Sequence, residues 1–238
     1  MTLPSAPVTA NAPHASASIS DHASPADAEQ RRGFGPRVRR LHARIGRAHH
    51  QAEGMTFSRQ LLAGSASAQQ LAALIRALAP AYEQLEALAP VAANSLGGSA
   101  IPWNDLARQA ALEHDRAQLA ALPATPPSQA GKAWLDRLQH LAEAAPHRLL
   151  AHVYVRYGGD LSGGQQLAPA AEAILAAHGE PALCFWRFPR PVGELRQRLH
   201  DGIEALRLTP CQEEELLEEA EAALRLTQRL LAELETLA

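Results

Sequence analysis

Hydrophobic residues recur at intervals of three and four along most of this chain, which is the spacing of helices with one apolar face. The pattern predicts a helix from about Pro36 to Glu53 and another from about Ala68 to Leu88, with a bend at Pro80. After an expected loop over residues 91–102, further helices are expected over about 104–122, 128–145, 192–206 and 209–238. Because no segment is convincing as a strand, the pattern predicts an all-α fold in a single multi-helix domain.

A predicted helix in the middle of the chain is interrupted by glycines. Residues 149–165 read LLAHVYVRYGGDLSGGQ, with Pro146 well placed as the first helical residue and four glycines close together. Each glycine costs a helix about 0.8–1 kcal/mol relative to alanine, so the cluster predicts a kink unless bare backbone is needed there. A flat ligand lying against the helix would need it. A short helix that starts at Pro169 is expected to follow.

The glycine cluster does not fit a nucleotide-binding site. A P-loop has a lysine directly after its last glycine, but Gly164 is followed by Gln165 and Gln166. A dinucleotide fingerprint requires a preceding strand, whereas residues 147–157 favour a helix. Phosphate binding is therefore a weak explanation of these glycines.

Composition and charge narrow the class of protein. Of the 238 residues 47% are hydrophobic and only 4% are aromatic, a composition that favours packed helices. The net charge of −3 does not indicate nucleic-acid binding. Without a run of about 18 apolar residues or a signal peptide, a cytoplasmic location and no membrane span are expected. Two cysteines do not make a disulfide framework. Residues 1–30, rich in Ala, Ser and Pro, are expected to be a disordered leader before a folded domain over 31–238.

The glycine-rich stretch resembles the distal helix of the heme oxygenase family. The family pattern AHxYxRYxGDLSGGQ is matched here by Ala151, His152, Tyr154, Arg156, Tyr157, Gly159, Asp160, Leu161, Ser162, Gly163, Gly164 and Gln165. The resemblance implies a bundle in which this helix kinks over one face of heme b, with heme contacts at Gly159, Ser162 and Gly163. One departure is Gly158, where the family more often has a larger apolar residue.

Two adjacent histidines near the end of the first predicted helix are not equivalent. At about 100° per residue, His49 lies at the edge of the apolar stripe, whereas His50 points to solvent. A lone interior histidine can be a structural residue with a hydrogen-bond partner or a metal ligand. The family pattern HxxAExxxF, matched by His49, Ala52, Glu53 and Phe57, implies that His49 is the axial ligand of the heme iron. Glu53 would then fix the tautomer of its imidazole.

The resemblance also implies which residues handle protons on the distal side of the heme. It gives Asp160 the ordering of distal waters that deliver protons during oxygen activation, with Arg156, Tyr154 and Tyr82 in the same hydrogen-bond network. The residues themselves leave two alternatives open. Asp160 can simply cap a break in the helix, and Tyr82 can be an amphipathic core tyrosine.

The positions that would bind the heme propionates depart from the family pattern. The family commonly has a lysine on the first helix and a lysine and an arginine on the penultimate one, and here His42, Arg196 and His200 stand at these places. Histidine is only partly charged at neutral pH, so the resemblance implies a weaker clamp, or one assisted by Arg198 or Arg44. The orientation of the heme, and with it the bilin isomer, is left open.

The resemblance implies oxidative cleavage of heme to biliverdin by O2, with release of iron and carbon monoxide. No flavin, NAD or iron–sulfur motif occurs, so electrons are expected from a separate protein of the ferredoxin or flavin reductase type. The arginine-rich residues 31–47 are a candidate docking surface for it, and the acidic residues 213–221 are interpreted as a solvated helix face. The alternatives are a heme carrier or sensor that keeps His49 but does not turn over, and heme-free chemistry on the same fold. A pure carrier would have no need of Asp160.

Overall fold

All regular structure in the described part of the chain is helical. The computed structural model describes residues 34–237, so the predicted leader lies outside the described residues. The helices in order are α1 (Pro36–Glu53), α2 (Thr56–Leu62), α3 (Ala68–Ser95), α4 (Trp103–Leu106), α5 (Gln109–Gln118), α6 (Gln129–Ala144), α7 (Leu149–Asp160), α8 (Gly163–Ala177), α9 (Val192–Glu204) and α10 (Pro210–Glu235). Two short 3-10 helices, Leu119–Ala121 and Pro146–Arg148, join neighbouring elements. The predicted all-α fold is confirmed.

Side-chain caps explain where several helices begin. Ser67 and Gln70 form a reciprocal capping box at the start of α3, and Thr209 and Gln212 form another at the start of α10. Ser128 accepts a backbone hydrogen bond from the first turn of α6. Each cap satisfies N–H groups that have no partner inside the helix. The predicted helix starts near residues 128 and 209 are therefore confirmed.

The third helix is longer than its sequence pattern suggests. α3 continues past Leu88 to Ser95 with Pro90 inside it, so the loop predicted over 91–102 is wrong for residues 91–95. A proline inside a helix removes one hydrogen bond. Ala92 and Ala93 are nevertheless buried in this last turn, and their packing holds it in helical form.

The helix predicted over residues 104–122 is divided in two, and the cause is a residue distant in sequence. Ala107 has an extended backbone between α4 and α5. The carboxylate of Glu86, on α3, accepts hydrogen bonds from the backbone N–H groups of Arg108 at 2.5 Å and Gln109 at 3.2 Å. An acidic side chain at a helix start satisfies free N–H groups and the helix dipole. The short helix α2 was also absent from the prediction.

Helices α3 and α10 form the centre of the bundle. α3 packs against α5, α6 and α7, and α10 packs against α1, α6 and α7. α1 and α7 both contact α9 and α10, but they barely contact each other. Helices α1 and α7, which the resemblance implies would lie on either side of heme, are thus held by common neighbours, with little packing between them.

The acidic end of the chain is paired with basic residues. On α1, Arg40 and Arg44 make ion pairs of 2.8 Å and 2.9 Å with Glu213 and Glu214 of α10. The other glutamates of the run are also paired, namely Glu215 with His147, Glu218 with Arg148, Glu219 with Arg137, and Glu221 with Arg44. The interpretation as a solvated face is therefore wrong for the buried Glu219, whereas Glu214 and Glu218 are paired and still exposed. Much of the positive charge of α1 is neutralised within the chain, which weakens the case for α1 as a docking surface.

Candidate active site

The glycine-rich helix breaks immediately after Asp160. α7 ends at this residue and α8 begins at Gly163, with Leu161 and Ser162 between them. Ser162 is exposed and leaves helical geometry, with φ −122° and ψ −91°. The predicted interruption is thus present. The helix expected to begin at Pro169 instead begins at Gly163, because α8 accommodates the proline in its interior.

The four glycines of this stretch differ in their surroundings. A methyl group placed on Gly158, Gly159 or Gly163 would meet no neighbouring atom within 4 Å. The same group on Gly164 would lie 2.7 Å from the ring of Trp186, which is closer than van der Waals contact allows. Gly164 is therefore needed for packing, whereas the other three leave bare backbone that faces open space.

Gln165 braces the break in the helix. Its side-chain amide donates hydrogen bonds to the backbone carbonyl oxygen of Asp160 at 2.9 Å and to that of Trp186 at 3.1 Å. Helix ends leave carbonyl groups without partners, and this amide satisfies one of them. Trp186 lies in residues 184–191, an irregular connection between α8 and α9. The sequence analysis missed the role of Gln165, although an amide side chain just after a helix break was a usable signal.

Asp160, Tyr82 and Arg156 form a buried polar cluster at the end of α7. The Tyr82 hydroxyl donates a hydrogen bond to Oδ2 of Asp160, and Nε of Arg156 donates to the Tyr82 hydroxyl at 3.3 Å. Arg156 also forms an ion pair of 3.8 Å with Oδ1 of Asp160, one turn away on the helix. The structure thus brings together three of the residues predicted to handle protons. Tyr82 packs in the core, and its hydroxyl group also contacts both Asp160 and Arg156.

The environment of the Asp160 carboxyl group suits proton transfer better than helix capping. Burial raises its pKa, although Arg156, the Tyr82 hydrogen bond and Arg108 act in the opposite direction. A carboxyl group with a raised pKa exchanges protons closer to neutral pH. The described partners of the carboxylate are side chains rather than backbone N–H groups, so it does not act as a simple cap.

Arg156 extends this cluster towards α6 and α10, whereas Tyr154 does not join it. The Arg156 guanidinium group lies 5.3 Å from the ring of Trp134 and donates a hydrogen bond to the Thr227 hydroxyl at 3.3 Å. The ring of Tyr154 lies instead 6.2 Å from that of His200. Side chains two positions apart on a helix point about 200° apart, so Tyr154 and Arg156 face different sides of α7. The predicted place of Tyr154 in the Asp160 network is corrected accordingly.

A second buried cluster surrounds His152, two turns earlier on α7. Nδ1 of His152 accepts a hydrogen bond from the indole N–H of Trp134 at 3.0 Å, so Nε2 carries the proton that it shares with Glu219 at 3.1 Å. Arg137 donates two hydrogen bonds to the same carboxylate. Burial opposes ionisation of Glu219, but the hydrogen bonds from His152 and Arg137 outweigh it and lower the pKa to about 2. The sequence analysis did not find this pair because 67 residues separate its members.

His49 presents its imidazole at the surface of α1. Its side chain is 49% exposed, against 91% for His50, so the two histidines differ in the predicted sense. Nδ1 of His49 lies 3.5 Å from Oε1 of Glu53, and Nδ1 of His50 lies 3.7 Å from Oε2 of the same carboxylate. Glu53 can therefore hold the His49 proton on Nδ1 and leave Nε2 bare for a metal. The role of His49 as an axial ligand stays a prediction.

Two of the three residues predicted to bind propionates, His42 and His200, lie beside Phe34. The Phe34 ring is 4.7 Å from that of His200 and 5.9 Å from that of His42. Arg196 lies one turn before His200 on α9. Burial, followed by the charge of Arg196 and the proximity of His42, lowers the pKa of His200 to about 4. His200 is therefore neutral at pH 7, and Arg196 is the permanently charged member of the three.

The two arginines suggested as helpers are engaged with other carboxylates. Arg198 makes an ion pair of 3.1 Å with Asp105, and Arg44 makes ion pairs of 2.7 Å and 2.9 Å with Glu221 and Glu214. These contacts direct both guanidinium groups to neighbouring acidic side chains. The structure therefore does not support their assistance to the clamp.

Known proteins share the sequence pattern of this chain. The profile of the heme oxygenase family matches residues 38–233. The chain belongs to the heme oxygenase family. Heme oxygenase 1 of Bos taurus is 32% identical over 199 residues, and the match covers 79% of this chain and 68% of that protein. Heme oxygenase 1 of Homo sapiens is 31% identical over 202 residues, with the same coverage of 79% and 68%.

Solved heme oxygenase structures share the fold. The heme oxygenase from Leptospira interrogans has a TM-score of 0.74 at 27% identity, covering 84% of this chain and 100% of its own. Heme oxygenase-1 from the cyanobacterium Synechocystis, in complex with heme, has a TM-score of 0.76 at 25% identity, covering 85% and 93%. The predicted family, fold and enzyme class are confirmed. Within residues 34–237, no helix is long and apolar enough to cross a membrane.

Proposed function

We propose that this protein cleaves heme oxidatively to biliverdin, with release of iron and carbon monoxide, using O2 and electrons from a separate donor protein of the ferredoxin or flavin reductase type. Its relatives are heme oxygenases, and one similar structure is a complex with heme. The observation that carries the proposal is the buried Asp160 carboxyl group, hydrogen-bonded to Tyr82 and placed beside glycine backbone that faces open space. This combination provides a proton-handling group next to a surface that a flat ligand can approach.

On the proximal side, His49 would hold the heme iron. Its contact with Glu53 at Nδ1 leaves Nε2 as the donor atom, and a carboxylate at the second ring nitrogen fixes the orientation of a metal-binding imidazole. Heme, when bound, supplies the iron at which oxygen is activated and the ring that is consumed. The protein needs only to position it and to manage protons.

On the distal side, the chain offers backbone instead of bulky side chains. Gly159 and Gly163 carry no side chain and have no neighbour within 4 Å of the place where one would stand. A flat macrocycle could therefore approach the main chain closely. Ser162 is exposed at the break and would also contact the heme.

Proton supply is assigned to Asp160 and its neighbours. Because burial raises the pKa of Asp160, the carboxyl group can take up and release protons nearer to physiological pH than an exposed aspartate. Tyr82 orients Oδ2 through its hydroxyl, and Arg156 in turn donates to that hydroxyl. These two residues position the carboxyl group, and Thr227 holds Arg156 in place.

The propionates would meet a clamp that is weaker than a set of three cations. Arg196 carries a permanent charge, whereas His200 has a pKa of about 4 and is neutral at pH 7. A neutral imidazole can still donate a hydrogen bond to a carboxylate, but it adds no charge. His42 lies next to the same Phe34 ring and completes the candidate set.

The test is to add hemin to the purified protein and then to supply reductant and O2. Formation of a green bilin with free iron supports the enzyme, whereas a stable oxygenated heme complex would indicate a carrier and the absence of heme binding would end the proposal. The His49→Ala variant is expected to lose the axial ligand and activity, with partial rescue of both by imidazole. His50→Ala, on the adjacent 91% exposed residue, is the matched control and should behave like the wild type. Equal losses in the two variants would contradict the assignment.

A further inference from the structure

We propose that His114, Asp115 and Cys184 bind a divalent transition-metal ion of the Zn²⁺ type, at a site separate from the proposed heme site. His114 and Asp115 belong to α5, and Cys184 lies in the connection between α8 and α9. One ligand atom from each of the three side chains lies within 4.8 Å of the other two. Within residues 34–237, this is the group of histidine, cysteine and acidic side chains that meets such a distance criterion.

The three donors suit zinc in chemical type and in charge. Imidazole nitrogen, carboxylate oxygen and thiolate sulfur are its usual protein ligands, at about 2.0–2.3 Å. Tetrahedral geometry at these lengths places ligand atoms roughly 3.5 Å apart, so a modest closure from the observed spacing suffices. The exposed His114 side chain can make that movement. One carboxylate and one thiolate neutralise a divalent ion, which lowers the cost of holding it beside the fully buried Asp115.

Backbone hydrogen bonds fix the central ligand in advance. Oδ1 of Asp115 accepts the N–H of Cys184 at 2.8 Å, and Oδ2 accepts the N–H of Phe185 at 2.8 Å. Each carboxylate oxygen keeps a second lone pair for a metal. Hydrogen bonds of this kind orient metal-binding carboxylates in proteins. His114 faces solvent, so a water molecule can complete a four-coordinate site.

Metal binding at this site must release a proton. In the metal-free protein Cys184 is a free cysteine, and a metal ion binds the thiolate form of a cysteine side chain. The ion would bind the sulfur as the S–H proton leaves to solvent, without any change of oxidation state. Affinity is therefore expected to increase with pH. The bound ion would tie α5 to the connection that carries Trp186, which packs on Gly164 at the helix break.

The experiment is a titration of the full chain, free of hemin, with Co²⁺ as a spectroscopic probe, followed by displacement with Zn²⁺. One ion per chain is expected, with a thiolate-to-cobalt absorption band in the near ultraviolet and the release of one proton. Cys184→Ala should abolish the band, and Cys211→Ala, which removes the other cysteine, is the matched control that should keep it. His114→Ala should weaken binding at least about tenfold, while His140→Ala, on another exposed histidine, should not.

Several outcomes would overturn the proposal. These are the absence of a thiolate band, a band that survives in Cys184→Ala, equal effects of His114→Ala and His140→Ala, or a dissociation constant weaker than about 100 μM. Circular dichroism of each variant shows whether it is folded. Because His114 is exposed and both cysteines lie at least partly at the surface, these substitutions leave the hydrophobic core unchanged.

Discussion

Two buried clusters, each built around one carboxyl group, contain residues of helix α7. They differ in the direction in which the pKa of the carboxyl group is shifted. Near its end, Asp160 contacts Tyr82 and Arg156, and two turns earlier His152 contacts Glu219 of α10. Asp160 is 4% exposed and Glu219 is 1% exposed. Nevertheless the pKa of Asp160 is raised, whereas that of Glu219 is lowered to about 2. Both side chains have almost no exposure to solvent, so exposure alone does not explain the difference.

The difference lies in the number and strength of the partners. Glu219 accepts two hydrogen bonds from Arg137 and one from His152, and Arg148 lies 3.5 Å away. Asp160 accepts one hydrogen bond from a hydroxyl group, and its nearest guanidinium nitrogen is 3.8 Å away. Strong pairing keeps a buried carboxylate ionised, and weak pairing allows desolvation to dominate. One cluster is therefore a fixed structural ion pair and the other is able to exchange protons.

The largest expected effect is the loss of bilin formation when the Asp160 carboxyl group is replaced. Asp160→Asn should reduce the rate of bilin formation at least about hundredfold, because general acid–base groups contribute about 10²–10⁴ to the rate. Heme affinity and the thermal midpoint should stay close to wild type, since the amide can still accept the Tyr82 hydrogen bond. Single-turnover absorbance with hemin, reductant and O2 measures the rate. An unchanged rate would remove Asp160 from the mechanism.

Next in size is the loss of stability when the structural pair is broken. Glu219→Gln should lower the free energy of unfolding by about 3 kcal/mol, because it leaves His152 and Arg137 without their carboxylate in a buried site. Urea unfolding of the heme-free protein measures it. Asp160→Asn serves as the comparison and should change stability by less than about 1 kcal/mol. A larger loss in Asp160→Asn than in Glu219→Gln would reverse the distinction between the clusters.

The two carboxylates should also give pH dependences of opposite sign. The Glu219 pKa is lowered from 4.5 to about 2, so its stabilisation is complete above pH 4.5 and is lost as pH falls towards 2. The Asp160 pKa is raised above 3.8, so the stability contributed by its protonated form is complete below pH 3.8 and is lost as pH rises from there through the raised pKa. Each slope is about 1.4 kcal/mol per pH unit at most. Urea titrations at several pH values measure the free energy of unfolding against pH. Glu219→Gln should remove the slope due to Glu219, and Asp160→Asn should remove the slope due to Asp160. Two slopes of the same sign would contradict the distinction between the clusters.

The smallest effect concerns the backbone beside the Asp160 cluster. Gly158→Ala should stabilise the heme-free protein by about 0.5–1 kcal/mol, because alanine favours a helix and nothing lies within 4 Å of the added methyl group. Gly164→Ala is the control and should destabilise it, since the methyl group would lie 2.7 Å from Trp186. Thermal unfolding followed by circular dichroism compares the two. If both substitutions stabilised the protein, the packing role of Gly164 would be wrong.

Local features of the fold could be predicted, and contacts between distant segments could not. The caps at Ser128 and Thr209 and the break near Asp160 follow from neighbouring residues, so sequence spacing sufficed. The cap that Glu86 provides to α5 joins positions 22 residues apart, and no local pattern reveals it. For the same reason the acidic residues of α10 were interpreted as solvated, although arginines of α1 face them.

In the candidate site, too, some features could be predicted from the motif and others depend on packing between distant segments. The resemblance supplied Asp160, Arg156 and Tyr82 together, and these three meet in the structure. Tyr154, taken from the same motif, faces His200 because helix geometry separates it from Arg156. The low pKa of His200 depends on how deeply it is buried by neighbours from other elements, which a linear sequence does not express.

The side-chain amide of Gln165 links the end of α7 to the irregular segment 184–191. Since the Gln165 side chain holds the main-chain oxygens of Asp160 and Trp186 at once, a displacement of the 184–191 segment is transmitted directly to the turn that carries the acidic group. Substitutions in residues 184–191 are therefore expected to change the position of Asp160. The side chain of one glutamine thus couples residues 184–191 to the end of α7.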